Sequence, residues 1–170
     1  MSYLDNKPYK LNHLNLNPLQ EKYSPDCSIR AIMIATGKTT TEDWLKIYDD
    51  LYKLSILRFK IFNCTDNLAV YLSYLDFELY FRPKKYESYT NKYNTIDEKI
   101  TVDKFIQEHM VGTYIIFVPN HMFAVIDGVV YERSKLDTIV RSKYKPGRHI
   151  TAIRSFFETY IDGYAIKKGN

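Results

Sequence analysis

The stretch NHMFAVIDGVVYERS, residues 120–134, predicts a β-hairpin. Apolar strand-forming residues stand on both sides of Asp127-Gly128, the pair that a two-residue type I′ turn prefers, because both turn positions need a positive φ. A two-residue turn also sets the register of the hairpin. The predicted partners are Ile126 with Val129, Val125 with Val130, Phe123 with Glu132, and His121 with Ser134.

This register predicts that His121 and Glu132 share one face of the hairpin. As diagonal neighbours their backbones lie about 7–8 Å apart, a gap that a glutamate side chain can close. A carboxylate that fixes the ring tautomer and stabilises the imidazolium is what a histidine general base needs. We therefore predict His121 as a base and Glu132 as its orienter, with Ser134 as the alternative orienter. The other interpretation is a strand-end histidine bonded to backbone and an exposed glutamate.

A second stretch, SPDCSIRAIMIATG at residues 24–37, predicts a buried helix that carries a cysteine at its start. Ser24 suits the N-cap, Pro25 the first helical position, and Gly37 the residue just past the end. Cys27 then lies in the first turn, where unpaired N–H groups and the helix dipole favour a thiolate. Cys27 is therefore a candidate nucleophile. The alternative is that it is one more small apolar residue of the core.

Composition indicates one domain that works in solution. The chain has 170 residues, 45% of them hydrophobic, which is enough for one core. Its net charge of +4 is only a weak sign of nucleic-acid binding. It has no secretory segment and no apolar run near the ~20 residues of a membrane helix. We expect a cytoplasmic protein without membrane contact. Two cysteines leave a Cys27–Cys64 disulfide open.

The remaining histidines give no sign of a metal site. His13 stands in a predicted arm, His109 at the end of a short helix, and His149 in a basic loop, none with a partner at metal-ligand spacing. We expect neither a metal nor a cofactor.

The rest of the chain predicts an α+β domain spanning residues 1–170. Residues 1–22 form an extended arm, and TTTEDWLKIYDDLYKL forms a surface helix whose apolar stripe includes Trp44, Leu45 and Tyr52. Further elements are predicted in chain order: a helix at 65–75, a strand at 77–81, a long loop at 82–100, a helix capped by Thr101 and a strand at 113–118. The tail at 150–166 is ambiguous between helix and strand.

DCSIRAIMIATG and NHMFAVIDGVVYE together resemble the papain-like cysteine peptidases, in particular the small ones of bacteriophages and mobile elements. Those enzymes pair a DC-x-x-RA-x-x-x-A-x-G helix with a GH-x-x-A-x-x-DG-x-x-YD hairpin. The resemblance implies a papain-like fold in which the cysteine helix packs on an antiparallel sheet. It also implies Cys27 as nucleophile, His121 as base and Glu132 as orienter. The chain departs from the pattern at Glu132, where the family has aspartate, and at Asn120, where it has glycine.

Papain-like enzymes also place a glutamine shortly before the cysteine to help form the oxyanion hole. Gln20 lies seven residues before Cys27, slightly more than the usual gap. The resemblance thus implies Gln20 as an oxyanion donor beside the backbone N–H of Cys27.

Three functions follow as hypotheses. The first is a cysteine hydrolase or acyl-transfer enzyme, a peptidase or amidase of bacteriophage type, acting on a protein or peptide in the host cytoplasm. The second is an inactive papain-like scaffold that binds and inhibits a host protein through the tyrosine-rich loop at 82–99. The third is nucleic-acid binding by the basic run at 141–149, for which we favour a solvated loop instead. The oligomeric state is left open.

Overall fold

The computed structural model describes residues 10–13, 27–60, 64–82, 93–132 and 154–169, and of residues 10–13 and 132 it describes the backbone alone. These ranges form a mixed α+β fold, which confirms the predicted class. The helices are α1 (Cys27–Thr36), α2 (Thr41–Arg58), α3 (Thr65–Tyr74) and α4 (Val102–Glu108). The strands are β1 (Lys10–His13), β2 (Phe77–Phe81), β3 (Asn94–Thr95), β4 (Thr113–Val118), β5 (His121–Ile126), β6 (Val129–Glu132) and β7 (Gly163–Lys167).

The strands make one seven-stranded sheet in the order β1-β6-β5-β4-β7-β2-β3. Its five inner strands pair antiparallel, and the two outer pairs, β1 with β6 and β2 with β3, are parallel. β3 lies inside the range predicted as loop, because Asn94 and Thr95 pair with Tyr80 and Phe81 at the sheet edge. The ambiguous tail forms a helical turn at 154–157 and then β7, which inserts between β4 and β2.

The sheet has a hydrophobic core on each face. Helices α1, α2 and α3 cover one face, and α4 with the turn at 154–157 covers the other. Strand alternation divides the side chains between the two cores. The first core takes Ile115, Phe117, Met122, Ala124 and Ala165 from the inner strands. The second takes Tyr114, Ile116, Val118, Phe123, Val125 and Val130.

Short-range signals explain the helix ends. Past the end of α1, Gly37 has φ +72° and donates to Ile34 O, while Lys38 donates to Met33 O, the two bonds of a Schellman motif. At the start of α2, Thr40 and Asp43 form a capping box. The predicted stripe of α2 is wrong in part, because Leu45 and Tyr52 are exposed whereas Trp44 is buried.

The predicted hairpin is present. Asp127 has φ +48° and Gly128 φ +76°, as a type I′ turn requires. Val125 pairs with Val130 and Ile126 with Val129, which confirms the predicted register. The turn is also tethered, because the Gly112 N–H donates to Asp127 Oδ1 at 2.8 Å and the Asp127 N–H donates to Gly112 O at 2.9 Å.

Candidate functional site

Cys27 is the first residue of α1 and is half-buried. Ser28 and Ile29, which follow it, are buried, and so are most of the later residues of this helix. The apolar sequence of α1 explains this burial, since it leaves only a narrow side for partial exposure. Cys27 therefore combines a helix N-terminus with access to solvent, as a nucleophilic thiol needs.

Arg30 shares that less buried side of α1 with Cys27. The two residues are three positions apart, a spacing at which helical side chains are neighbours, and both are half-buried. A guanidinium on this side of the helix adds a positive charge beside the candidate nucleophile. Sequence reasoning did not single out Arg30, although the spacing of three from Cys27 was the signal.

His121 begins β5 directly after a tight turn. Its backbone faces Val118 across the β4–β5 ladder, and its side chain is half-buried. Asn120 in the turn has φ +61°, a conformation that glycine and asparagine tolerate best. The departure from glycine at this position is therefore compatible with the backbone that leads into the histidine.

The structure packs the element that carries Cys27 against the element that carries His121. Helix α1 lies on β5 and β4, and Met122 and Ala124 share the first core with it. The His121 ring points to the other side of β5, where it stacks on Phe123 with centroids 6.1 Å apart and planes 23° apart. The two elements are thus in contact, whereas the imidazole lies with the second core face at the strand end.

The other predicted site residues are placed only in part. Glu132 ends β6, and its backbone pairs in parallel with that of His13 in β1. The structure describes only the backbone of Glu132, so the role of its side chain as orienter stays a prediction. Gln20 and Ser134 lie outside the described residues, as does the basic run at 141–149. Of the loop at 82–99, residues 83–92 lie outside as well.

Cys64 offers a second thiol in a comparable position. It is the N-cap of α3, and its Sγ accepts from the Asn67 N–H at 3.5 Å. Both cysteines are free and half-buried, so they are not bonded to each other. Each thiol therefore lies at the start of its own helix, Cys27 at α1 and Cys64 at α3.

The part of the chain that the structure describes contains no group of three or more His, Cys, Asp or Glu residues that could hold a metal ion. His109 has a structural role there: its Nδ1 donates to Phe105 O at 2.8 Å and its ring stacks on Phe105 at 4.0 Å. Within the described ranges, no helix is both long and apolar enough to cross a bilayer.

Comparison with known proteins returns no match to a family model, to a curated protein or to a solved structure.

Proposed function

We propose that the chain is a cysteine hydrolase or acyl-transfer enzyme of papain-like type, with Cys27 as its nucleophile and His121 as its base. The observation that carries the proposal is that α1, with Cys27 at its first residue, packs on β5, with His121 at its first residue. The proposed substrate is an amide bond in a phage or host protein, because the sequence resembles small enzymes of bacteriophages.

The proposed reaction requires the His121 side chain, which lies on the face of β5 opposite to α1, to turn at the strand end towards Cys27. His121 then takes the proton from Cys27 and the thiolate sulfur attacks the carbonyl carbon of the amide. The C–N bond breaks, the amine leaves with the proton from the imidazolium, and a thioester remains on Cys27. Water or an acceptor amine then releases the acyl group. Glu132 orients the imidazole, while Gln20 and the Cys27 N–H stabilise the oxyanion.

The test is the pH dependence of alkylation by iodoacetamide, measured at each cysteine by mass spectrometry in the folded protein. We expect Cys27 to react fast at a pH well below about 8.5, where an ordinary thiol is half ionised, and to lose this advantage in His121→Ala. Cys64 is the internal control, because it also lies at a helix N-terminus. Equal profiles for Cys27 and Cys64, unchanged by His121→Ala, would contradict the proposal.

A second candidate is a binding protein built on the same scaffold. It is favoured by the position of the His121 ring, which stacks on Phe123 on the face of β5 opposite to α1. Its proposed partner is a host protein and its proposed contact surface is the loop at 82–99. Substitutions in that loop should then abolish binding of the partner while Cys27→Ala leaves it intact, and the reverse pattern would exclude this candidate.

A further inference from the structure

Helix α2 carries a second apolar stripe, on a side that the core does not use. Its buried stripe is formed by Trp44, Ile47 and Leu51. About 100° around the helix, three other apolar side chains recur at helical spacing and stay in solvent. They are Leu45, Tyr52 and Ile56, which are 46%, 50% and 56% exposed.

The stripe ends at an aromatic residue in an unfavourable conformation. Phe59, the C-cap of α2, has φ +52° and its side chain is 96% exposed. A left-handed backbone favours glycine or asparagine at a helix end, so phenylalanine is a costly choice for a position that needs only a cap. The Phe59 ring is therefore accessible to a partner at the end of the stripe.

Apolar exposure is concentrated on this helix. Of the eight large apolar side chains that are exposed among the described residues, five lie on α2 or directly after it. The stripe is also continuous with the core, because Trp44 stacks on Tyr48 at 5.4 Å and Tyr48 on Tyr52 at 6.5 Å. It is therefore a supported surface about 21 Å long, measured from Leu45 to Phe59 along the helix.

The charges beside the stripe would pair with those of a second copy of α2 if the two helices ran antiparallel. Glu42 lies at the start of α2, Lys60 lies just after its end, and Asp49 and Lys53 lie between them. Within the chain, Lys53 pairs with Asp49 and Lys60 with Asp66, so a partner copy would extend these pairs rather than form them anew. Glu42 and Lys60 are equally distant along the chain from Leu51, and so are Asp49 and Lys53. Two copies of α2 that cross antiparallel near Leu51 therefore place opposite charges together at both levels, with opposed helix dipoles.

We propose that this surface binds a second copy of the chain, so that two α2 helices pack antiparallel around a twofold axis at the level of Leu51 and Tyr52. Leu45 of one copy then lies near Phe59 of the other, and Tyr52 packs against its own symmetry mate. Glu42 of each copy faces Lys60 of the other. The inference is independent of the proposed enzyme activity, because no residue of the candidate site takes part.

The test is the molar mass of the full chain in solution, measured by sedimentation equilibrium over a range of protein concentrations. We expect a dimer in wild type and a rise of about 100-fold or more in the dissociation constant for Ile56→Glu, which introduces two buried carboxylates per dimer. Val111→Glu is the matched control, because Val111 is also exposed but lies outside α2. Leu45→Glu is a second variant at the other end of the stripe.

Charge reversal tests the antiparallel register. Asp49→Lys should weaken the dimer by about 10-fold, as for a charge at the interface rim, and the added Lys53→Glu should restore it. The double exchange also keeps the ion pair that Asp49 and Lys53 make within each helix. Glu98→Lys, an exposed change of the same kind elsewhere, should have no effect. A wild type that stays monomeric at every concentration would overturn the proposal. A dimer that Ile56→Glu and Leu45→Glu leave intact would overturn it as well.

Discussion

Replacing Gly163 with alanine tests whether the close approach of strands β2 and β7 depends on a missing side chain. Gly163 pairs with Phe81 in β2 and with Phe117 in β4. A Cβ atom built on Gly163 would collide with the Phe81 ring and would lie 2.5 Å from the carbonyl oxygen of Tyr80. A side chain can move aside, but that oxygen belongs to the backbone of a paired strand.

We expect Gly163→Ala to lower the free energy of unfolding by about 3 kcal/mol, the upper end of the usual cost of overpacking. For a chain of this size, that loss corresponds to a fall in Tm of about 6–12 °C. Gly37→Ala is the matched control. Nothing lies within 4 Å of a Cβ at Gly37, and its φ of +72° should cost about 1 kcal/mol.

The assay is equilibrium unfolding in urea, followed by circular dichroism, for both variants. A double-mutant cycle with Phe81→Leu separates the ring from the carbonyl, because removing the ring should reduce the cost of Gly163→Ala. If Gly163→Ala proves no more costly than Gly37→Ala, the close approach of β2 to β7 does not limit stability and the reasoning is refuted.

Three further predictions concern a helix cap and two ionisable groups. Thr40→Ala should lower the free energy of unfolding by about 1 kcal/mol at neutral pH, with Thr40→Ser close to wild type, because the threonine oxygen caps the Asp43 N–H at 3.1 Å. Hydrogen bonds that the Asp43 carboxylate accepts, first from the Thr40 side chain, hold the pKa of Asp43 below its usual value of 3.8. The stabilising effect of the carboxylate is therefore complete above pH 3.8 and is lost as the pH falls through the lower pKa of the folded state. Urea unfolding at acidic pH should show this loss in wild type and not in Asp43→Asn. Burial and then the 2.9 Å bond to Asp50 raise the pKa of Tyr71 above 10.0, so its contribution is complete below pH 10 and lost as the pH rises towards the folded pKa. Urea unfolding in alkaline buffers should therefore show a steeper loss of stability in wild type than in Tyr71→Phe, and equal slopes would contradict this.

The elements that the sequence predicts well are those that local chemistry determines. Asp127-Gly128 specifies a turn through backbone conformation alone, and the register of β5 and β6 follows from it. Gly37 ends α1 for a similarly local reason. Cys27 could be placed at a helix start because the apolar run after it shows where the helix lies.

Long-range pairing could not be predicted in the same way. Nothing in the alternation of β7 indicates that it lies between β4 and β2, since that position depends on segments far away along the chain. The same holds for the parallel pairing of β1 with β6. Periodicity also places Leu45 and Tyr52 in one stripe with Trp44, because a helix with two apolar stripes has the same spacing as a helix with one broad stripe.

The side of the sheet on which the His121 ring lies, relative to α1, also could not be predicted from the sequence. Parity predicts that His121 and Phe123 share a face, which agrees with the stacking of their rings. It does not say on which face α1 packs, because that choice belongs to the tertiary fold.

The central place of β7 has a consequence for the order in which the protein folds. The hairpins of β4, β5 and β6 need only neighbouring segments of the chain. The edges of β4 and β2 that pair with β7 stay without a partner strand until β7 has been made. During that interval the nascent chain presents two open strand edges, on which another chain could add a strand. The sheet is closed from within by the last of its strands in chain order, so its two inner edges stay open until every other strand has been made.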